Sequence, residues 1–174
     1  MCQLPRIQLT NYMQPLSRAL KQNRSLKLLR LSGNSLRDTS VLESLAVNEG
    51  LEVLDWCGNK LDERGLLILS QSLSQNRTLR SLNIKSNAFS YLHGLDLSTN
   101  DTLCHLSHTC RGPEAKQIAF ICNLNAAGRR LLRLQDPIPL GLWPLVLARC
   151  SSKADVLLYF VQNMSSLWVK QHDH

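Results

Sequence analysis

The chain lacks several things, and each absence narrows what it can be. No apolar run reaches 18 residues, so no bilayer-spanning helix is expected. No apolar stretch of the secretory kind follows Met1, so no secretory leader is expected. The cysteines Cys2, Cys57, Cys104, Cys110, Cys122 and Cys150 fall at irregular spacings, with no pair at C-x2-C. That argues against the dense disulfide framework of a small secreted domain and for a reducing, intracellular setting, with the cytoplasm as the expected location. G-x-S-x-G, H-E-x-x-H and the P-loop are all missing, which makes an enzyme the least expected class and leaves no cofactor to expect. A basic run is missing too. Lys and Arg outnumber Asp and Glu by 20 to 13, giving a net charge of +7 and a pI near 9.4, but the charge is spread along the chain. Its tightest clusters are Arg129-Arg130 with Arg133, and Lys21 with Arg24. A basic balance favours acidic partners. Spread in this way it belongs to a solvated face more than to a nucleic-acid tail, so the expected partner is a protein with an acidic face and not nucleic acid.

What is present is a repeat. The 174 residues amount to one domain, or one with a short appendage. Three segments share the template Leu-x-x-Leu-x-apolar-x-x-Asn-x-apolar: Leu26, Leu29, Leu31, Asn34, Leu36; then Leu51, Leu54, Trp56, Asn59, Leu61; then Leu79, Leu82, Ile84, Asn87, Phe89. An asparagine precedes the first Leu of each by three residues, at Asn23, Asn48 and Asn76. A fourth unit opens at Asn100 and runs through Leu103 to Leu106, then fails, with His108 at an apolar position and Arg111 in place of Asn. Upstream, Leu4, Ile7 and Leu9 fit a degenerate strand without the asparagine, which leaves open that further repeats precede Met1.

The alternation around Leu29 and Leu31 is that of a strand with one buried face. The asparagine turns the chain out of the strand, and its amide can satisfy backbone groups there; identical stacked turns can form a ladder. The return segments read as helices. Asp62 is placed to cap a helix carrying Leu66, Leu69 and Leu73, Asp38 one carrying Val41, Leu42 and Leu45, and Pro15 sits at the start of one carrying Leu16, Ala19 and Leu20. Residues 90–99 are too short and too poor in helical periodicity to form a full helix.

These features resemble the ribonuclease-inhibitor-like leucine-rich repeat over residues 4–110, most closely in 51–79, LEVLDWCGNKLDERGLLILSQSLSQNRTL. The resemblance implies a curved α/β horseshoe, a solenoid of parallel inner strands and outer helices, over residues 1–111. Its strand starts are 25 and 28 residues apart, and that family's spacing is usually nearer the longer value.

After Arg111-Gly112-Pro113 the periodicity becomes helical: Glu114 to about Leu134, with a break at Asn125–Gly128, then Leu142–Leu147, then Ala154 through Val161. Residues 112–174 therefore read as an α-helical unit capping the apolar end of the last repeat. Asn123–Arg129 and Pro139–Arg149 look similar to the C-terminal part of uncharacterised leucine-rich-repeat proteins of diatoms and related algae. Pro139 to Trp168 looks more distantly like an F-box, which would make the chain an adaptor to a ubiquitin ligase.

Cys104, His105, His108 and Cys110 form the one metal-like cluster. Their spacing matches no usual zinc finger and strand alternation would point them apart, so no metal site is expected and a terminal strand with incidental polar residues is the better reading. The candidate functional surface is the inner face of the strands. There the residues between the buried leucines face solvent: Arg6 and Gln8; Leu28 and Arg30; Val53 and Asp55; Ser81, Asn83 and Lys85; and His105. Alternating charge at Arg30, Asp55 and Lys85 beside the apolar Leu28 and Val53 is the mixed chemistry of a protein-binding scaffold. The alternative is a structural subunit or ligase adaptor attached through the C-terminal helices.

Overall fold

The computed structural model describes residues 2–3, 12–130 and 143–168, with side chains for 12–130 and 144–162. In these the elements run β1 (Cys2–Gln3), α1 (Met13–Gln22), β2 (Leu28–Arg30), α2 (Ser40–Ser44), β3 (Val53–Asp55), α3 (Glu63–Gln75), β4 (Ser81–Asn83), β5 (His105–Ser107), α4 (Pro113–Ala127), α5 (Trp143–Cys150) and α6 (Ala154–Trp168). The strands form one five-stranded parallel sheet in sequence order. Each of β2, β3 and β4 buries its central leucine, Leu29, Leu54 or Leu82, between two half-exposed neighbours. Those leucines stand opposite one another in register, and Leu106 follows them.

The register comes from the asparagines before each strand. Asn76 Nδ2 donates to the carbonyls of Leu45 at 2.7 Å and Asn48 at 3.2 Å, one unit back, while its Oδ1 accepts the amides of Thr78 at 3.0 Å and Leu79 at 2.7 Å. Asn48 does the same toward Leu20 and Asn23, and Asn100 toward Leu73 and Asn76. A side-chain amide has donors and an acceptor on one plane, so one residue satisfies backbone groups of its own unit and the one before. Gly50 allows the corners to stack this closely: a Cβ there would lie 2.7 Å from the Arg24 carbonyl carbon and oxygen. A second ladder follows the strands. Asn59 Nδ2 bonds the carbonyls of Leu31 and Trp56, and its Oδ1 accepts from Asn34 N and Leu36 N. Asn87 repeats the pattern with Trp56, Ile84 and Leu61.

The helical segments follow expectation with local shifts. Asp62 caps α3 by accepting Gly65 N at 2.9 Å. Asp38 accepts Ser40 N at 2.7 Å, although Thr39 holds the cap position of the five-residue α2. Helix α1 begins at Met13, which puts Pro15 inside its first turn instead of at its start. Residues 90–99 form no helix; they bury Leu92, Leu95 and Leu97 and are tied to α3 where Ser70 Oγ donates to Asp96 O and accepts from Asp96 N. The sequence placed the first strand on Leu4–Leu9, whereas the strand that pairs with β2 is Cys2–Gln3, opposite Leu29 and Arg30. Residues 4–11 lie outside the described part.

Helix α4 is apolar on two sides. Ile118, Ile121 and Cys122 join the leucine core of the repeats, and Leu124 and Ala127 join a second core with Val146, Cys150, Val156 and Phe160. It ends at Gly128, whose φ of 105° suits glycine. The sequence extended this helix to about Leu134, and the residues beyond 130 again lie outside the described part.

Candidate functional site

The parallel register aligns side chains into rows across the sheet. Leu28, Val53, Ser81 and His105 stand opposite one another in turn, as do Arg30, Asp55, Asn83 and Ser107. All are half-buried except His105, which is exposed. Seven of the ten residues singled out from the sequence thus fall into two adjacent rows on one face. Lys85 is exposed beyond the end of β4, with its amide donating to Asn83 Oδ1 at 3.2 Å. Arg6 and Gln8 fall outside the described residues, and the position opposite Arg30 on β1 is taken by Gln3.

The second row is internally ordered. Asn83 Nδ2 donates to Asp55 Oδ1 at 3.0 Å, and the same oxygen accepts Cys57 N at 3.1 Å. The carboxylate is therefore fixed from two sides while Arg30 lies opposite it on the neighbouring strand. A side chain held by neighbours and rooted in a hydrogen-bonded sheet loses little freedom on binding, which is how a rigid face gains affinity. Leu28 and Val53 add a small apolar area next to this polar row.

The strand template left out one row. Lys27, Glu52, Arg80 and Cys104 each sit one residue before the Leu28 row, linked in sequence by the backbone bonds Glu52 N to Lys27 O, Arg80 N to Glu52 O and Cys104 N to Arg80 O, at 2.8–2.9 Å. Lys27 Nζ pairs with Glu52 Oε1 at 3.1 Å. The position directly after the first leucine of each template carried the signal. The sequence also gave Asn125 only the role of a helix break. It ends the first ladder: its Nδ2 donates to Asn100 O at 3.1 Å and Leu103 O at 3.0 Å.

Among the described residues no group of three or more His, Cys, Asp or Glu is placed to hold a metal ion, so Cys104, His105, His108 and Cys110 do not converge. Cys57, Cys104, Cys110, Cys122 and Cys150 are free thiols. Burial pushes Cys122 up to about 12, the nearby Cys104 adding to the shift. Burial also raises Cys104, against the pull of Arg80. Neither is an activated thiolate. No described helix is long and apolar enough to cross a membrane.

No family model matches the chain. It is 44% identical over 71 residues to the Tonsoku-like protein of Bos taurus, a stretch that covers 39% of this chain and 5% of that protein. Among solved structures it is similar to leiomodin-1 actin-binding site 2, at 21% identity with a TM-score of 0.59 over 72% of this chain and 79% of that one. The C-terminal domain of tropomodulin from Caenorhabditis elegans aligns at 15% identity with a TM-score of 0.44, over 71% of this chain and 99% of that one. The leiomodin likeness agrees with the sheet and ladders in fold: a leucine-rich-repeat-like mixed α/β domain with a parallel sheet.

Proposed function

We propose that this chain is a non-catalytic protein-interaction module that binds through the exposed face of its parallel sheet. The observation that carries the reading is the pair of in-register rows, Leu28 to His105 and Arg30 to Ser107, in which a fixed carboxylate, an arginine and two apolar side chains stand on a scaffold already ordered by its ladders. In this reading residues 1–111 form a ribonuclease-inhibitor-like solenoid whose strands line the concave side of a horseshoe. Residues 112–174 cap its end, which the shared core of α4 and the Asn125 bonds support. The partner is a protein with an acidic face, in keeping with the net charge of +7. The name of the leiomodin segment makes actin a defined first candidate.

The test is affinity capture from native lysate with the intact chain, run beside the Arg30→Glu/Asp55→Lys/Lys85→Glu variant, after matched circular dichroism and thermal melts. Co-sedimentation with filamentous actin is run in parallel. The reading requires partners that bind the native chain and are lost from the variant. Partners kept in full by the variant would refute it.

One observation favours a second reading, attachment through the C-terminal helices. Leu145, Leu158 and Val161 on α5 and α6 are each at least half exposed. A structural subunit held through these helices would lose its partner on Leu158→Glu and keep it in the sheet-face variant.

A further inference from the structure

A cleft of about 370 Å³ opens between the start of the strands and the C-terminal helices. That volume falls in the range of ligand sites. Its charge is one-sided. Arg77, Arg80, Arg130 and Arg149 line it, from three places in the chain. Lys27 and Glu52 also line it but pair with each other, which leaves Asp101 as the remaining carboxylate among the described lining residues, against four guanidiniums. Among the described residues none of the four arginines has a carboxylate within 4.0 Å. Arg77 is anchored by the carbonyls of Ser74 and Asn76, so its fork is held in place.

Two acceptors at the cleft are unsatisfied. Asn125, 7% exposed, commits its Nδ2 to two backbone carbonyls, so its oxygen is fixed as an acceptor, and that oxygen is buried without a partner. Asp101 Oδ1 is likewise buried and unpartnered. A buried acceptor without a donor is costly, so the protein itself leaves these two oxygens to be met by a water or another group at the cleft.

We infer that this cleft binds a phosphorylated side chain on a segment of a partner protein. A phosphomonoester carries up to two negative charges and three acceptor oxygens, enough to engage several guanidinium forks, whereas one carboxylate would leave most of them unpaired. Arg80 belongs to the row one residue before Leu28, Val53, Ser81 and His105, so a segment lying on the sheet face reaches the cleft without leaving the surface. The choice of a protein as the source rests on the proposed sheet-face function; the anion chemistry of the cleft does not.

The experiment is an NMR titration of the uniformly 15N-labelled full chain at pH 7.5. The probes are the blocked peptide Ala-Ala-phosphoserine-Ala-Ala, its unphosphorylated counterpart and inorganic phosphate. Saturable shifts are expected at Arg80, Thr102, Asn125 and Gly128 with the phosphopeptide. Binding should be about tenfold or more weaker for the plain peptide and for inorganic phosphate. Arg80→Gln/Arg149→Gln, checked for an otherwise unchanged spectrum, should weaken phosphopeptide binding by about tenfold or more. The Arg30→Glu/Asp55→Lys/Lys85→Glu variant should titrate as the native chain does, which separates failure of the cleft from failure of the sheet face. Equal binding of both peptides, or no effect of the double arginine variant, would overturn the proposal. Inorganic phosphate binding as tightly as the phosphopeptide would overturn its assignment to a protein segment.

Discussion

The repeats and the C-terminal helices bury apolar surface in different ways. In the repeats, like stacks on like: Leu29 on Leu54 on Leu82 along the strands, with Leu51, Leu79 and Leu103 buried at the matching corners. Because each unit is nearly a translated copy of the last, one asparagine per corner can serve two units at once. The helices have no such translation. Their core mixes Leu124, Ala127, Val146, Cys150, Val156 and Phe160, bordered by edge-to-face contacts of Tyr159 with Phe120 and Phe160 at 6.2 and 6.0 Å. Helix backbones satisfy themselves, so side-chain shape largely sets how these helices meet, with one polar link where Lys153 Nζ donates to Asn123 Oδ1 at 2.6 Å. Polar ladders organise one region and apolar fit the other, and α4 with Asn125 belongs to both.

The sharpest way to break this contrast is Phe160→Ala, expected to cost the helical region about 4 kcal/mol through a cavity in its small core. Hydrogen exchange should show α5 and α6 losing protection while β3 and β4 keep theirs; equal losses everywhere would mean one cooperative unit and no contrast. Next is Asn76→Ala, which strands the amides of Thr78 and Leu79 at a buried corner, takes one of two donors from the carbonyls of Leu45 and Asn48, and should destabilise the repeats by about 3 kcal/mol in urea unfolding. At the end of the same ladder, Asn125→Ala should cost about 1 kcal/mol by the same assay, because only two carbonyls lose a donor and the side-chain oxygen had no partner. The smallest effect has the opposite sign. Ser86 holds the turn position that Gly33 and Gly58 occupy in the other units, at a φ of 54°. Ser86→Gly should raise stability by about 0.5 kcal/mol, strain relief outweighing the added freedom of the unfolded chain, as a higher melting temperature would show.

The contrast also sets what the sequence makes legible. The corner asparagines, the buried leucines and the Asp62 cap follow from spacing, because a repeat declares each position three times. The rows of the sheet face follow for the same reason: a parallel register makes equal template positions neighbours. The first strand is less legible. Leu4, Ile7 and Leu9 match the apolar spacing without the asparagine and lie outside the described residues, and the described pair that aligns with β2 is Cys2–Gln3. The role of Asn125 was hidden because it sits on a helix where no leucine template follows it, although it lies 25 residues after Asn100, the same step as from Asn23 to Asn48. The arginine cleft was hidden likewise, since Arg77 and Arg80 lie far in sequence from Arg130 and Arg149.

The most direct test of the central claim is site-specific photocrosslinking in native lysate, with a photoreactive residue at Ser81 on the sheet face or at Leu158 on α6. The account predicts a discrete covalent adduct from Ser81 and none from Leu158. An adduct from Leu158 alone would contradict it and place the partner on the C-terminal helices.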